Sequence, residues 1–349
     1  MKEIFSLDAI TRENVKRLVP YSSARDEFSG SSGIFLDANE NPFETGYNRY
    51  PDPHQKKLKE KIAEIKGVKT ENIFLGNGSD EAIDLLFRAF CEPGKSNVII
   101  LPPTYGMYEV AANINDVAIK KVQLNSDFQP DIKSISEETD NDTRLVFFCS
   151  PNNPTANSFS ANLIIEMIEK FNGIVVIDEA YIDFSVQQSF ISLINKYPNL
   201  VVLQTFSKAY GMAALRLGMA YADEKIISVL SKIKPPYNIN GATQQIVLDA
   251  LTDTNKVRNY ISEILAEREK LIFKLLKTKS VIKVYPSDAN FILIKVNDAT
   301  SLYNYLVIKN IVVRDRSKVA LCENCLRITV GTQKENESLL NALNNYTAQ

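Results

Sequence analysis

The sequence predicts an α/β protein with a mostly parallel central sheet flanked by helices, joined to a smaller α+β domain. Short apolar runs rich in β-branched residues alternate with helical patterns through the middle of the 349-residue chain. Several of these runs are apolar throughout, as expected of strands that are buried on both faces of a parallel sheet. Toward the C-terminus a long helical pattern is followed by shorter strands, which indicates a second domain of the α+β class.

We expect three parts along the chain. Residues 1–48 form an N-terminal segment that packs with the small domain, residues 49–253 form the large domain, and residues 254–349 form the small C-terminal domain. Strands of the large domain are predicted at 98–101, 117–124, 144–149, 174–178, 200–204 and 217–221, with helices that include 79–90 and 161–171. The small domain is predicted to have a helix at 254–277, strands at 281–285, 291–296, 311–315 and 326–330, and a closing helix from about 333.

The composition excludes several classes of protein. Forty basic and 42 acidic residues leave a net charge of -2, which argues against a nucleic-acid partner. No apolar run is long enough to cross a bilayer, and the charged N-terminus does not resemble a signal peptide, so we expect a cytoplasmic location. Four cysteines are too few for a disulfide scaffold, and the CENC motif at 322–325 lacks the second pair that a zinc site needs.

The single histidine, His54, restricts the possible chemistry. A metal site rich in histidine is excluded, and any catalytic triad would have to use this residue. His54 lies in the proline-punctuated stretch RYPDPHQ, which favours a surface or helix-capping role. Acid–base chemistry is therefore expected from lysine, tyrosine or a cofactor.

A first group of candidate residues follows the strand at 200–204, in TFSKAYGMAALR. Thr205, Ser207, Lys208 and Arg216 would gather at the C-terminal edge of the sheet, where α/β proteins bind ligands. Hydroxyls and an arginine suit a phosphate, and a lysine among positive charges has a lowered pKa that favours a nucleophilic amine. The alternative is an ordinary solvated loop.

Three other strand ends carry polar groups toward the same edge. Asp178 ends a buried strand and needs a cationic or N–H partner, such as a protonated pyridine nitrogen, and Tyr181 follows it. Tyr105 in PPTYGMY is placed to stack on a planar ring, and SPNNPT offers Asn153. Each has an ordinary structural explanation, but their convergence favours a ligand site.

The segment GNGSDEAIDLL adds a glycine-rich turn at the start of a helix, where backbone N–H groups bind phosphate well. Ser79 or Asp80 is predicted as the N-cap. A glutamate, Glu81, stands where a dinucleotide fingerprint would need its third glycine, so a Rossmann interpretation is weak.

Together the motifs resemble the fold-type I pyridoxal-phosphate (PLP) aminotransferases, and within them the histidinol-phosphate aminotransferase family of histidine biosynthesis. The resemblance runs from about residue 18 to residue 335 and is carried by NENPF, GSDEAID, PPTYGMY, SPNNPT, DEAY, SKAYGMAALR and RDR…LRITVGT. It implies amino transfer between L-histidinol phosphate and 2-oxoglutarate, giving imidazole-acetol phosphate and L-glutamate, with PLP as cofactor. A homodimer is also implied.

The resemblance assigns a role to each candidate. Lys208 is the lysine that carries the cofactor, Asp178 the partner of the pyridine nitrogen, and Tyr181 and Asn153 the neighbours of the ring oxygen. Tyr105 stacks on the ring, while the phosphate is held by Ser79, Asp80, Thr205, Ser207 and Arg216. The substrate is contacted by Tyr21, Asn39, Arg314 and Arg327, with Arg327 on a carboxylate and Arg314 near the phosphate, and by Tyr50 of the neighbouring subunit.

One position departs from the family. Its usual SPNNPTG has Ala156 as the last residue here, and a positive φ there would strain alanine by about 1 to 2 kcal/mol. Two other PLP activities are compatible with the motifs, an aromatic amino-acid aminotransferase and a decarboxylase of the threonine-phosphate type. A PLP-fold transcription regulator is disfavoured because the 38 residues before NENPF leave no room for its extra DNA-binding domain.

Overall fold

The computed structural model describes residues 5–21 and 33–346. The strands are β1 (Ile73–Asn77), β2 (Asn97–Ile100), β3 (Ala118–Lys121), β4 (Thr143–Cys149), β5 (Ile174–Asp178), β6 (Leu200–Thr205), β7 (Leu217–Ala222), β8 (Val281–Val284), β9 (Phe291–Val296), β10 (Arg314–Asp315) and β11 (Cys325–Thr329). The helices are α1 (Leu7–Ile10), α2 (Glu13–Arg17), α3 (Lys56–Lys66), α4 (Ser79–Phe90), α5 (Met107–Ile114), α6 (Ile132–Glu138), α7 (Ala161–Lys170), α8 (Glu224–Ile233), α9 (Gly241–Ala250), α10 (Thr254–Leu275), α11 (Ala299–Ile308) and α12 (Gln333–Asn344). Single 3₁₀ turns lie at Thr70–Asn72, Ile182–Phe184, Phe190–Leu193 and Ala213–Leu215.

A seven-stranded sheet forms the large unit, in the order β1-β7-β6-β5-β4-β2-β3. Strand β7 is antiparallel to both of its neighbours, whereas β3, β2, β4, β5 and β6 pair in parallel. The C-terminal ends of β4, β5 and β6 therefore meet at one edge. This is the mostly parallel sheet that the sequence predicts, and the fold class is confirmed.

The central strands are apolar throughout because the sheet is covered on both faces. In β5, Val175 and Ile177 belong to one apolar cluster, whereas Ile174 and Val176 belong to the cluster on the other face. All four are fully buried. Alternate side chains of a strand point to opposite faces, so a strand between two helical layers cannot show a polar alternation.

The small unit is an antiparallel sheet in the order β10-β11-β9-β8. Leu326 and Ile328 of β11 face an apolar cluster that includes residues of α10, α11 and α12. Cys325 belongs instead to a cluster of the large unit. One face of this sheet is thus covered by its own helices, and Arg327, which alternates with Leu326 and Ile328, lies on the face toward the large unit.

The first described residues of the N-terminal segment lie on the large unit, whereas the segment is predicted to pack with the small domain. Phe5, Leu7 and Ile10 pack against a core cluster of the large unit, not the small one. The backbone N–H of Arg12 donates to the carbonyl of Ala89 at 3.0 Å. Apolar side chains on a short N-terminal helix pair explain this docking, because they need an apolar surface to cover them.

Two element predictions also need correction. The strand expected at 117–124 is limited to Ala118–Lys121, and the strand expected at 311–315 is reduced to Arg314–Asp315. Strand β1 is additional to the predicted strands. No helix in the described ranges is both long and apolar enough to span a membrane.

Candidate active site

A cavity of about 140 Å³ opens where β4, β5 and β6 end. The structure brings all ten residues predicted to bind the cofactor to its wall, with none left elsewhere: Ser79, Asp80, Tyr105, Asn153, Asp178, Tyr181, Thr205, Ser207, Lys208 and Arg216. Parallel strands deliver their carboxyl ends to the same edge of a sheet, so residues far apart in sequence meet there.

Asp178, the last residue of β5, is 2% exposed. Its carboxylate accepts a hydrogen bond from the Tyr108 hydroxyl at 2.8 Å and another from the backbone N–H of Ala180 at 3.0 Å. Burial raises the pKa of Asp178, and these two donors act in the opposite direction. A cation in the cavity would stabilise the ionised carboxylate further.

Tyr108, which is not among the predicted residues, contacts Asp178 from behind the cavity wall. Its ring is fully buried, stacks on Phe147 with 4.6 Å between centroids, and meets the Tyr105 ring edge-on at 5.6 Å. Burial raises the pKa of Tyr108 well above its ordinary value, so the hydroxyl stays protonated and donates to Asp178. The available signal was a second tyrosine in PPTYGMY, three residues after the predicted stacking residue Tyr105.

Lys208 lies just beyond β6, with Nζ 5.5 Å from the centroid of the Tyr181 ring. Burial is the main cause that lowers the pKa of Lys208, and the positive charge of Arg327 acts in the same direction. Burial raises the pKa of Tyr181, which therefore stays a neutral phenol. The amine is thus shifted toward its nucleophilic neutral form beside a proton-donating hydroxyl.

Arg216 and the start of α4 form another part of the cavity wall. Arg216 Nη2 lies 3.6 Å from Asp80 Oδ2, and a Cβ on Gly78 would come within 2.7 Å of that same Nη2. Gly78 has a φ of +71° and is the N-cap of α4, so neither Ser79 nor Asp80 caps the helix as predicted. A positive φ favours glycine, and glycine also leaves room for the guanidinium.

Hydroxyls complete this end of the cavity. The Thr205 hydroxyl donates to Ser207 Oγ at 3.0 Å, and Thr205 Oγ1 accepts from the Ser207 backbone N–H at 3.1 Å. A guanidinium, two hydroxyls and the first N–H groups of a helix are the donors that a phosphate ester needs. With Asp178 for a ring nitrogen and Lys208 for an aldehyde, the set of residues fits PLP.

On the side of the small unit, Arg327 of β11 donates through Nη1 to Asn153 Oδ1. Its guanidinium lies 5.3 Å from the centroid of the Phe291 ring. Arg314 is directly opposite Arg327 in the pairing of β10 with β11. Burial lowers the pKa of Arg327, although the side chain remains a cation beside the cavity.

Three predicted substrate residues lie elsewhere. Tyr21 is 72% exposed. Asn39 and Tyr50 line a separate groove of about 880 Å³, in which Tyr50 stacks on Tyr237 at 4.5 Å between centroids. The structure of one chain does not bring these residues to the cavity.

The structure also places Ala156, the two cysteines of the CENC motif and His54. Ala156 is fully buried with a φ of +69°, so alanine adopts the left-handed conformation that the family's glycine would favour. Cys322 and Cys325 are buried free thiols, and burial raises their pKa to about 12 and 11. His54 is exposed, in the turn before α3.

Comparisons of sequence and of structure with known proteins point to the same family. The model of the family "Aminotransferase class I and II" matches residues 38–343. The chain is 55% identical over 342 residues to the histidinol-phosphate aminotransferase of Flavobacterium johnsoniae, covering 97% of this chain and 98% of that one. The crystal structure of the histidinol-phosphate aminotransferase from Clostridium acetobutylicum superposes with a TM-score of 0.79 at 26% identity, covering 86% and 90% of the two chains. The enzyme of that name from Sinorhizobium meliloti, solved in complex with pyridoxal-5'-phosphate, shares the fold with a TM-score of 0.79 at 22% identity over 85% of this chain and 82% of that one.

Proposed function

The chain belongs to the class I and II aminotransferases and is a PLP-dependent enzyme, and we propose that it transfers the amino group between L-histidinol phosphate and 2-oxoglutarate. The products are imidazole-acetol phosphate and L-glutamate. This reaction is a step of histidine biosynthesis. The observation that carries this proposal is the 55% identity to a histidinol-phosphate aminotransferase over 97% of the chain.

The residues of the cavity would hold the cofactor in one orientation. Arg216, Thr205 and Ser207 would bind its phosphate together with the N-terminus of α4, Tyr105 would stack on its ring, and Asp178 would hold a proton at the ring nitrogen. When bound, PLP supplies an aldehyde that links to amines and a ring that withdraws electrons from the substrate. Asp178 needs such a cationic partner because it is buried without an ion pair among the described residues.

Lys208 is proposed as the group that moves the proton. Its amine would hold the cofactor covalently and, once released, take the proton from the substrate Cα. A lowered pKa favours the neutral amine required for this, since only an unprotonated nitrogen accepts a proton. Tyr181 and Asn153 would orient the ring through its oxygen.

Two substrates with different anions must use the site in turn. Arg327 is proposed to bind the α-carboxylate of glutamate, because the guanidinium fork matches a carboxylate. Histidinol phosphate has no carboxylate, and Arg314 is proposed to bind its phosphate. Arg314 lies opposite Arg327 on paired strands, so both side chains lie on the same face of the small sheet.

We also propose a homodimer in which Tyr50 reaches the site of the neighbouring subunit. Ile34, Leu36, Phe43 and Tyr47 are 77% to 91% exposed near the groove that contains Tyr50. A surface patch of this kind indicates a protein interface. A cytoplasmic location is proposed as well, because the four cysteines are free thiols, as expected in a reducing compartment.

The test is a half-reaction on the purified holoenzyme. Glutamate first converts the cofactor to its amine form, and imidazole-acetol phosphate or phenylpyruvate is then added while the visible absorption of the aldehyde form is followed. We expect faster return with imidazole-acetol phosphate. Equal or faster return with phenylpyruvate would contradict the proposed substrate, and release of carbon dioxide would indicate a decarboxylase.

A further inference from the structure

Arg316 extends the pairing of β10 beyond its two regular residues. Its backbone N–H donates to the carbonyl of Cys325 at 2.9 Å. Alternate residues of a strand share a face, so Arg316 lies on the same face as Arg314. Arg314 is opposite Arg327, and the three arginines therefore form one row on the face directed at the large unit.

The row carries positive charge without acidic partners. Within the described residues, the arginines that form ion pairs within 4.0 Å are Arg12, Arg49, Arg88, Arg144, Arg216 and Arg268, so none of the three belongs to this set. Burial, then the charges of Arg327 and Arg314, lower the pKa of Arg316. Like charges held together are unfavourable until an anion binds between them.

Within the described ranges, Arg316 also has a buried donor without an acceptor. Its Nε is buried and donates to no acceptor in the part of the chain that the structure describes. A buried donor without an acceptor is costly. The charge of Arg316 also acts on Tyr181, which lines the cavity. An anion bound against this guanidinium would supply an acceptor.

We propose that Arg316 binds the phosphate group of the phosphorylated substrate and thereby sets the preference for a phosphate monoester over a carboxylate. This inference rests on the proposed function. A phosphate monoester carries about -1.5 to -2 charges at pH 7 and offers three acceptor oxygens, whereas a carboxylate carries a single charge. Arg314 supplies one guanidinium to this dianion, and Arg316 supplies the second.

The experiment compares Arg316→Gln with Arg258→Gln, an exposed arginine of α10 that serves as the matched control. For each holoenzyme, kcat/KM is measured with L-histidinol phosphate, with L-histidinol, which lacks the phosphate, and with L-glutamate. We expect Arg316→Gln to lower kcat/KM for histidinol phosphate by roughly tenfold or more, as for a lost hydrogen bond between charged groups. Values for histidinol and glutamate should change much less, and Arg258→Gln should match the wild type throughout.

A binding measurement gives a second readout. Inorganic phosphate added to the holoenzyme, in which the cofactor fills its own phosphate site, should raise the melting temperature of the wild type and of Arg258→Gln but not of Arg316→Gln. The variant Arg316→Lys keeps the charge but loses the planar fork, so an intermediate kcat/KM for histidinol phosphate is expected. It also replaces Arg316→Gln if that variant fails to bind cofactor.

The inference is overturned if the ratio of kcat/KM for histidinol phosphate to that for histidinol is unchanged in both Arg316 variants, or if phosphate stabilises them as much as the wild type. A uniform loss with all three substrates would also overturn it, since it would indicate a structural role. Failure of the proposed function is separate, because the wild type itself would then not react with histidinol phosphate.

Discussion

At the scale of single residues, the hydrogen bond from Tyr108 to Asp178 determines how well that carboxylate holds its charge. Removing only the hydroxyl, in Tyr108→Phe, keeps the stacking on Phe147 and takes away one of two donors to a buried anion. Asp178 would then hold a proton at the ring nitrogen less firmly. We expect kcat to fall by about tenfold, in line with a hydrogen bond to a charged group, with little change in KM. Single-turnover kinetics with glutamate measure this.

The matched control is Tyr221→Phe. Tyr221 is also fully buried, and its hydroxyl donates to the sulfur of Met219 at 3.0 Å, away from the residues that line the cavity. Both variants lose one buried hydroxyl, so a comparable loss of kcat in the two would show that Tyr108 acts only through stability.

Ala156 shows why a departure from the family pattern is tolerated. Replacing it by glycine relieves about 1 to 2 kcal/mol of left-handed strain. The same change loses about 0.8 kcal/mol from the buried methyl group and about 0.4 to 1 kcal/mol from the greater freedom of the unfolded chain. We therefore expect Ala156→Gly to change the free energy of unfolding by less than about 1 kcal/mol. Urea denaturation tests this, and a larger gain would show that the strain is not offset.

The residues of the site were predictable where each one follows a strand, because parallel strands end together. Asp178, Asn153 and Lys208 follow this rule. Tyr108 lies in a helix, and Arg316 follows a strand of the antiparallel small sheet, so their proposed roles depend on tertiary neighbours. Contacts of this kind leave no periodic signal in the sequence.

At the scale of elements, Glu179 ties the end of β5 to the 3₁₀ turn at Phe190–Leu193. Its carboxylate accepts from the Ser189 hydroxyl at 2.5 Å, from the Phe190 N–H at 2.7 Å and from Gln204 Nε2 at 2.9 Å. Burial nevertheless dominates and raises the pKa of Glu179 from 4.5 to about 7. The carboxyl group that makes this connection is therefore harder to ionise than an exposed glutamate.

This shift predicts a pH dependence of stability. Between pH 4.5 and about 7 the folded protein binds more protons at Glu179 than the unfolded chain does, so stability falls as pH rises through that window. The contribution is on the order of 3 kcal/mol. We expect Glu179→Gln to flatten the decline of the melting temperature across this range relative to Glu337→Gln, an exposed control. Parallel curves for the two variants would contradict the assignment.

Helices and strands were predictable where burial gives their sequence a clear hydrophobic pattern. Strands β5 and β9 match their predicted bounds because each begins with a continuous run of four apolar residues. Strand β1 has only three apolar residues before Gly76, which is too short a run to stand out. Strand β10 is shorter than predicted because its pairing with β11 begins only at Arg314, so residues 311–313 stay outside the strand. The local hydrophobic pattern predicts that a strand exists, whereas the positions of its ends depend on the strand with which it pairs.

At the scale of the whole molecule, the proposed dimer explains why Tyr50 lies away from the cavity of its own chain. The cavity holds the ten residues assigned to the cofactor, and Tyr50 lies instead in a separate groove, stacked on Tyr237. A two-fold symmetric interface places the same patch on both subunits, so each Tyr50 can serve the partner's site. The oligomeric arrangement could not be predicted from strand patterns, since it concerns surfaces and not the core.

Hybrid dimers test this arrangement directly. Lys208→Ala and Tyr50→Ala are each expected to be almost inactive as homodimers. After mixing and subunit exchange, a hybrid contains one site with both changes and one site with neither, because Lys208 and Tyr50 of that site come from different chains. Random exchange of equal amounts should therefore restore about a quarter of the wild-type activity. Mixtures that stay inactive, although native mass spectrometry shows exchanged subunits, would place Tyr50 in the site of its own chain or in none.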